Sequence, residues 1–306
     1  MSQPRSIDGV LVQWGDRLFY PGNRMVKSPS EPMLAAHLLR QRANAIRARI
    51  QATVVRRAPQ VMVKVTGGGR GIGAIAAHFK YISKNGQLEI EDDRGEVLRG
   101  KDDLKGLVDD WRLGGTPIED IGFRREAFNI MLSMPRGVDP LYVLKAAREF
   151  AQAEFGDHKY VMVLHDHQAN PHVHLSVRAE SRSGKRLNAR KADLSRWRQT
   201  FAEQLRGWGV EAEASARVVR GQVRSGEPLW RLKAREDRRL LRSHQRQTGA
   251  GVSFNHRAAG EAWAQLASVL SASDDAGDRK LGSAAKQFLS EMQLHRSMPR
   301  PAGPER

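Results

Sequence analysis

The segment HVHLSVRA, residues 172–179, alternates strictly between polar and apolar side chains. In a strand, successive residues point to opposite faces. His172, His174, Ser176 and Arg178 therefore share one face, and Val173, Leu175, Val177 and Ala179 the other. A strand with this pattern needs a sheet with an apolar back packed on helices and a polar front. Three further segments fit the same sheet. VMVKVT (61–66) sets Val61, Val63 and Val65 opposite Met62, Lys64 and Thr66. AFNIMLSMP (127–135) sets Phe128, Ile130 and Leu132 opposite Asn129, Met131 and Ser133. KYVMVLH (159–165) precedes the histidine strand directly.

Helical stretches separate these strands. VDPLYVLKAAREFAQAEFG has Asp139 as N-cap, Pro140 at the first helical position and a stripe of Leu141, Leu144, Ala147, Ala151 and Phe155. IGAIAAHFKYISKNG follows a Gly67–Gly71 turn and closes at Asn85-Gly86. LEIEDDRGEVL (88–98) reads as a hairpin, and KDDLKGLVDDW and residues 190–209 read as helices. Residues 1–30 read as a loosely ordered arm before an arginine-rich helix ending near residue 50. Beyond residue 216 only helical patterns remain, starting with an arginine-rich stretch over 217–246. The expected architecture is α+β: an antiparallel sheet of four to five strands backed by helices. The expected division is 1–58, 59–215 and 216–306.

The chemistry concentrates in HDHQANPHVHLSV (165–177), which holds four of the ten histidines. His172 and His174 leave one strand face together. The short Asp166–Pro171 loop folds His165 back beside them. Three converging imidazoles can hold a divalent cation and leave positions open for phosphate oxygens. His167 fits a supporting place or a fourth ligand position. The chain has no cysteine, so thiol nucleophiles, disulfides and thiolate ligands are excluded.

Lys plus Arg number 51 against 34 Asp plus Glu, a formal charge of +17, which makes an anionic polymer the first partner to consider. The N-terminus lacks an apolar signal core. No apolar run reaches the roughly 18 residues of a membrane span, so the expected site is the cytoplasm without membrane insertion. GGGRGIG departs from the phosphate-loop pattern, and its glycines point to a tight turn or a close backbone approach, to DNA for example.

A phosphodiester beside a metal needs a nucleophile, water or a side chain. From the residues alone, Tyr81, next to Lys80 and near Lys84, reads as a packing tyrosine with its hydroxyl at an edge. The order of motifs changes this. A Gly-rich turn, a helix with YISKNG, a strand ending LSMP, a helix and then HxHxxxPHVHLSV resemble the conjugative relaxases over about residues 60–215. These are HUH single-tyrosine endonucleases, and the resemblance is to the MOBP group that includes the T-DNA border and IncP relaxases.

The resemblance implies Tyr81 as nucleophile, Ser133 as a serine contacting DNA near the nick, and His165, His172 and His174 as the ligands of Mg²⁺ or Mn²⁺. It implies single-stranded or locally melted origin-of-transfer DNA as substrate. Lys64, Arg70, Lys80, Lys84, Asn129 and Arg178 are then expected to face that DNA. Accessory DNA-binding proteins and a type IV coupling protein are the partners the resemblance implies, with export alongside the transferred strand. The family usually has Asp where this chain has His167, so Asp166 or His167 is expected to support the first histidine. A rolling-circle replication initiator, a single-tyrosine transposase and a non-enzymatic basic DNA-binding protein are the competing readings.

Overall fold

The computed structural model describes residues 6–20, 34–221 and 250–297. The chain folds as two compact units, Ala58–Ala214 and a second built from both flanking segments, Met1–Arg57 and Ser215–Arg306. Most of the arginine-rich stretch 217–246 lies outside the described residues.

The central unit holds a six-stranded sheet in the order β1-β4-β6-β5-β2-β3, antiparallel throughout. Its strands are β1 (Met62–Gly67), β2 (Ile90–Asp92), β3 (Val97–Leu98), β4 (Ala127–Ser133), β5 (His158–His165) and β6 (His172–Ser181). The 88–98 hairpin joins the sheet as β2 and β3, which makes six strands rather than four or five. The central strands are in register across the polar face: Met62 pairs Ser133, Ser133 pairs His172, and His172 pairs His165.

The back face carries the larger core. Helices α5 (Pro140–Phe155) and α6 (Lys191–Gly207) pack there with Val143, Phe150, Phe155, Trp197 and Phe201 against Ile130, Leu132, Val173 and Leu175. The Asp139 carboxylate accepts from the Leu141 amide at 2.8 Å and caps α5 as its sequence requires. The buried stripe of α5 keeps Ala147, Ala151 and Phe155 of the expected one, with Leu144 half-buried. Leu141 is exposed, and Val143, Ala146, Ala147, Phe150, Ala151 and Phe155 face the core. The stripe is turned toward Val143, Ala146 and Phe150, which leaves Leu141 in the first turn outside it.

The polar front face is not open along its whole width. Helices α3 (Ile72–Ile82) and α4 (Lys101–Leu113) cover its β5 and β2 side. Phe79, Ile75, Leu107 and Trp111 meet Val161, Val163 and Ile90 there in a second core. Lys64 and Thr66 on β1 stay exposed. At the far edge of the unit the two chain ends meet: the Val61 amide donates to the Glu213 carbonyl at 3.1 Å, and the Glu213 amide to the Pro59 carbonyl at 2.9 Å.

The second unit corrects the picture of an arm. Residues 7–19 form helix α1 (Ile7–Phe19), capped by the Ser6 hydroxyl. Leu11, Leu18 and Phe19 bury against α2 (Ala36–Ile50), α7 (Ala250–Ser271) and α8 (Ala276–Ser297) around Trp263. The Trp263 indole donates to the Val219 carbonyl at 2.7 Å. Several arginines of α2 are internal ties. Arg47 bonds both Asp278 oxygens and Asp8, and Arg42 bonds Asp16 while lying over the Tyr20 ring. Those side chains are committed to the fold. Among the described residues no helix is long and apolar enough to cross a membrane.

Candidate metal centre and nucleophile

The β5–β6 hairpin builds the histidine cluster. Direct pairing of His165 with His172, and the two-residue period of β6, put three imidazoles on one patch of the front face. Their ring centroids lie 4.6–5.1 Å apart. Each ring offers a nitrogen within 4.8 Å of the others. His165 and His172 are each only 6% exposed.

Backbone carbonyls orient two of the rings. His165 Nε2 lies 2.7 Å from the Ile82 carbonyl oxygen, and His172 Nδ1 lies 2.9 Å from that of Asn170. Each nitrogen facing a carbonyl must carry the proton, which leaves the other nitrogen of each ring as a lone-pair donor. His165 Nδ1 and His174 Nδ1 are buried and unpartnered among the described residues. Burial and the neighbouring imidazoles push His174 down to about 3. Burial also holds His165 below the ordinary histidine range, against the pull of the Ile82 carbonyl. Three imidazoles, each with a ring nitrogen within reach of the others, are the donor set a divalent cation needs.

Tyr81 stands next to this cluster through the backbone. Its neighbour Ile82 is buried in the front core and supplies the carbonyl that holds His165. The tyrosine ring is 71% exposed, so it is not a packing residue. The rest of YISKNG ends the helix. Ser83 is buried and its hydroxyl accepts from the Gly86 amide at 3.0 Å. Lys84 and Asn85 both take positive φ, 50° and 59°. The Asn85 and Leu88 amides close onto the Lys80 and Ser83 carbonyls. Two consecutive non-glycine residues in this region store local strain, which the surrounding hydrogen bonds hold.

His78 was not singled out in the sequence. It stacks on Tyr81 at 6.3 Å between centroids and meets His174 edge-on at 6.4 Å. Burial pushes its imidazole below the usual range. The available signal was its spacing: residues three apart on a helix share a face.

The other expected residues divide. Lys64, Arg70, Lys80 and Lys84 are exposed. His167 lies 5.2 Å from the His165 ring, outside the converging three, and Asp166 is exposed on the turn. Ser133 is buried beside His172, its hydroxyl turned to the Pro171 carbonyl at 3.3 Å. In this arrangement it ties β4 to the histidine hairpin and does not reach solvent. Asn129 is buried and accepts from the Ser176 hydroxyl at 3.2 Å. Arg178, expected on DNA, is 3% exposed and donates to the carbonyls of Trp111, Gly114 and Thr116. It closes the C-terminal end of α4, so both Asn129 and Arg178 belong to the fold's interior. The glycine turn likewise serves the protein's own backbone. A side chain on Gly68 would lie 2.2 Å from the Ala127 carbonyl, and Gly71 (φ 102°) is pressed against the Asp120 carbonyl.

The unit is thus an α+β domain whose antiparallel sheet carries three clustered imidazoles beside a helix-borne tyrosine. Residues 103–210 match the family model of the relaxases, MobA/VirD2-like nuclease domain, and this part of the chain is similar to that domain. The match covers about a third of the chain and includes Ser133 and the three histidines; Tyr81 precedes it. No curated protein matches the chain. A DNA-nicking activity for mobilisation follows from the domain, with DNA as its substrate.

Proposed function

We propose that this chain nicks one strand at an origin of transfer, with Tyr81 as nucleophile, in the manner of the MOBP relaxases. The observation that carries the reading is the 2.7 Å contact between His165 Nε2 and the carbonyl of Ile82, the residue after Tyr81. It ties an exposed phenol to the three-histidine patch through a single peptide unit.

His165, His172 and His174 would hold a divalent ion, Mg²⁺ or Mn²⁺, which when bound supplies Lewis-acid polarisation of the scissile phosphate. The chain's own residues do the remainder. The Tyr81 oxygen attacks phosphorus as phenolate, the 3′ oxygen leaves with the bonding pair and takes up a proton, and the 5′ phosphate stays on Tyr81. Lys80 and Lys84, both exposed, flank the attacking residue and offer cations to the phosphates of the strand. His78 holds the Tyr81 ring by stacking. The ester keeps the energy of the broken bond, so the reverse reaction can rejoin the strand. His167 and Asp166 support the first histidine from the turn. A cytoplasmic protein acting with accessory DNA-binding proteins and a type IV coupling protein fits this role.

The test is a single-stranded oligonucleotide spanning the element's own origin, incubated with Mg²⁺ or Mn²⁺. Wild type gives a covalent protein–DNA adduct, and Tyr81→Phe gives none while still binding the oligonucleotide. An adduct formed by Tyr81→Phe would remove the nucleophile assignment.

A further inference from the structure

The connection between α4 and β4 displays two bulky apolar side chains to water: Ile121 is 86% and Phe123 99% exposed. The segment bearing them is firmly held. Ile118 is buried in the front core, and Asp120 pairs with Arg112 at 2.6 Å. The Ile72 amide donates to the Glu119 carbonyl at 2.9 Å, and the Gly122 amide to the Arg70 carbonyl at 3.3 Å. Holding a whole phenyl ring in water contributes nothing to folding. Scattered exposed apolar residues are ordinary, but two on one anchored segment, beside the exposed Arg70, form a contact surface.

The surroundings select the occupant. Arg70 is exposed on the adjoining turn. The loop's acids Asp120 and Glu126 are already paired, the latter with Arg124 and Arg186, and Glu119 has no ion pair among the described residues. The turn leads into α3, whose exposed positions are Gly73, Ala74, Ala77, Lys80 and Tyr81. No acid stands on that helix, and its small residues let a strand lie close. The helix covers about 16 Å at 1.5 Å per residue, a path of a few nucleotides from Phe123 to Tyr81. Aromatic rings beside cations on a basic protein bind single strands by stacking on bases, since every base offers a π face.

We propose that Phe123, with Ile121 and Arg70, is a base-stacking contact for the single strand flanking the cleavage point, bound along the exposed stripe of α3. The direction of that strand rests on the nicking reading; the contact itself does not. The test is fluorescence anisotropy on the full chain, with chelator present so that no cleavage occurs. The probes are a thymidine oligonucleotide of about 20 nucleotides, longer than a single such binding groove, and an abasic strand of equal length.

Wild type prefers the thymidine strand. Phe123→Ala weakens thymidine binding roughly ten-fold and leaves abasic binding unchanged, while Phe123→Trp restores the preference. Arg70→Ala weakens both probes and lowers the salt slope by about one phosphate contact. Phe123→Ala binding both probes as wild type does, or losing both equally, overturns the proposal. If Tyr81→Phe still forms an adduct, the nicking reading fails and the anisotropy result is untouched.

Discussion

Replacing Arg178 should unfold the nuclease unit at lower temperature without changing how its folded form binds DNA. The guanidinium is 3% exposed and is shared among three carbonyls, with Trp111 and Gly114 oxygens each at 2.8 Å and Thr116 on the second nitrogen. The first of these belongs to the last turn of α4, whose carbonyls have no partner within the helix and carry the negative end of its dipole. Arg178→Met keeps much of the side-chain volume but strips all three acceptors of their donor. Hydrogen bonds to a charged group contribute roughly 1.5–3 kcal/mol each and do not add fully, so the loss is put at about 3–5 kcal/mol. For a unit of this size each kcal/mol moves Tm by about 2–4 °C, so the melt should fall by roughly 6–20 °C. Arg178→Lys, which can reach one carbonyl and lacks the planar fork, should fall about half as far. The assay is a thermal melt of the full chain by tryptophan fluorescence, paired with DNA binding measured well below the lowest midpoint. A shift under about 2 °C together with weakened binding would refute the reasoning and return Arg178 to the DNA surface.

Acid should destabilise the metal-free chain. The stability tied to neutral His174 is fully present above the unfolded value near 6.5 and is lost as pH falls toward about 3, because only the unfolded chain takes up the proton. At pH 5 this amounts to about 2 kcal/mol in denaturant melts, and His165 acts in the same direction. His174→Asn should flatten that dependence. Mn²⁺ should raise Tm with a concentration dependence that His172→Ala abolishes; an unchanged response in the variant would place the ion elsewhere. Gly68→Ala should cost several kcal/mol in a denaturant melt, since its methyl group would enter the Ala127 carbonyl at 2.2 Å. Asp139→Ala should cost about 1 kcal/mol through loss of the α5 cap, with nicking unaffected.

The sheet and the histidine cluster were legible because both follow from a two-residue period that needs no tertiary information. The cap at Asp139 was legible for the same local reason. What failed depended on partners far along the chain. Alternation places Arg178 on the polar face correctly, but does not say that α4 will cover that part of the face. Residues 7–19 read as an arm because their apolar side chains meet Trp263 and Leu266, which stand near the other end of the sequence. The helix α2 read only as arginine-rich because the acids that pair with Arg42 and Arg47 stand on other elements, Asp16 and Asp8 on α1 and Asp278 on α8. His78 was hidden by the neighbouring Tyr81, although the two share one helix face.

The pairing of Pro59 and Val61 with Glu213 bears on how the molecule is made. During synthesis α1 and α2 emerge before the central unit, and Trp263, which packs against their apolar sides, emerges after it. Until then the two helices have only each other, and an early helical pair of this kind is open to proteases and chaperones. Once the intervening nuclease unit folds, residues 59 and 213 become neighbours, and a loop spanning half the chain shrinks to a short one. By loop-closure entropy that is about 3 kcal/mol of ordering already supplied before the helical unit begins to assemble. The nuclease unit therefore serves as a clasp. A variant that loosens it, Arg178→Met included, should leave the terminal helices harder to join as well.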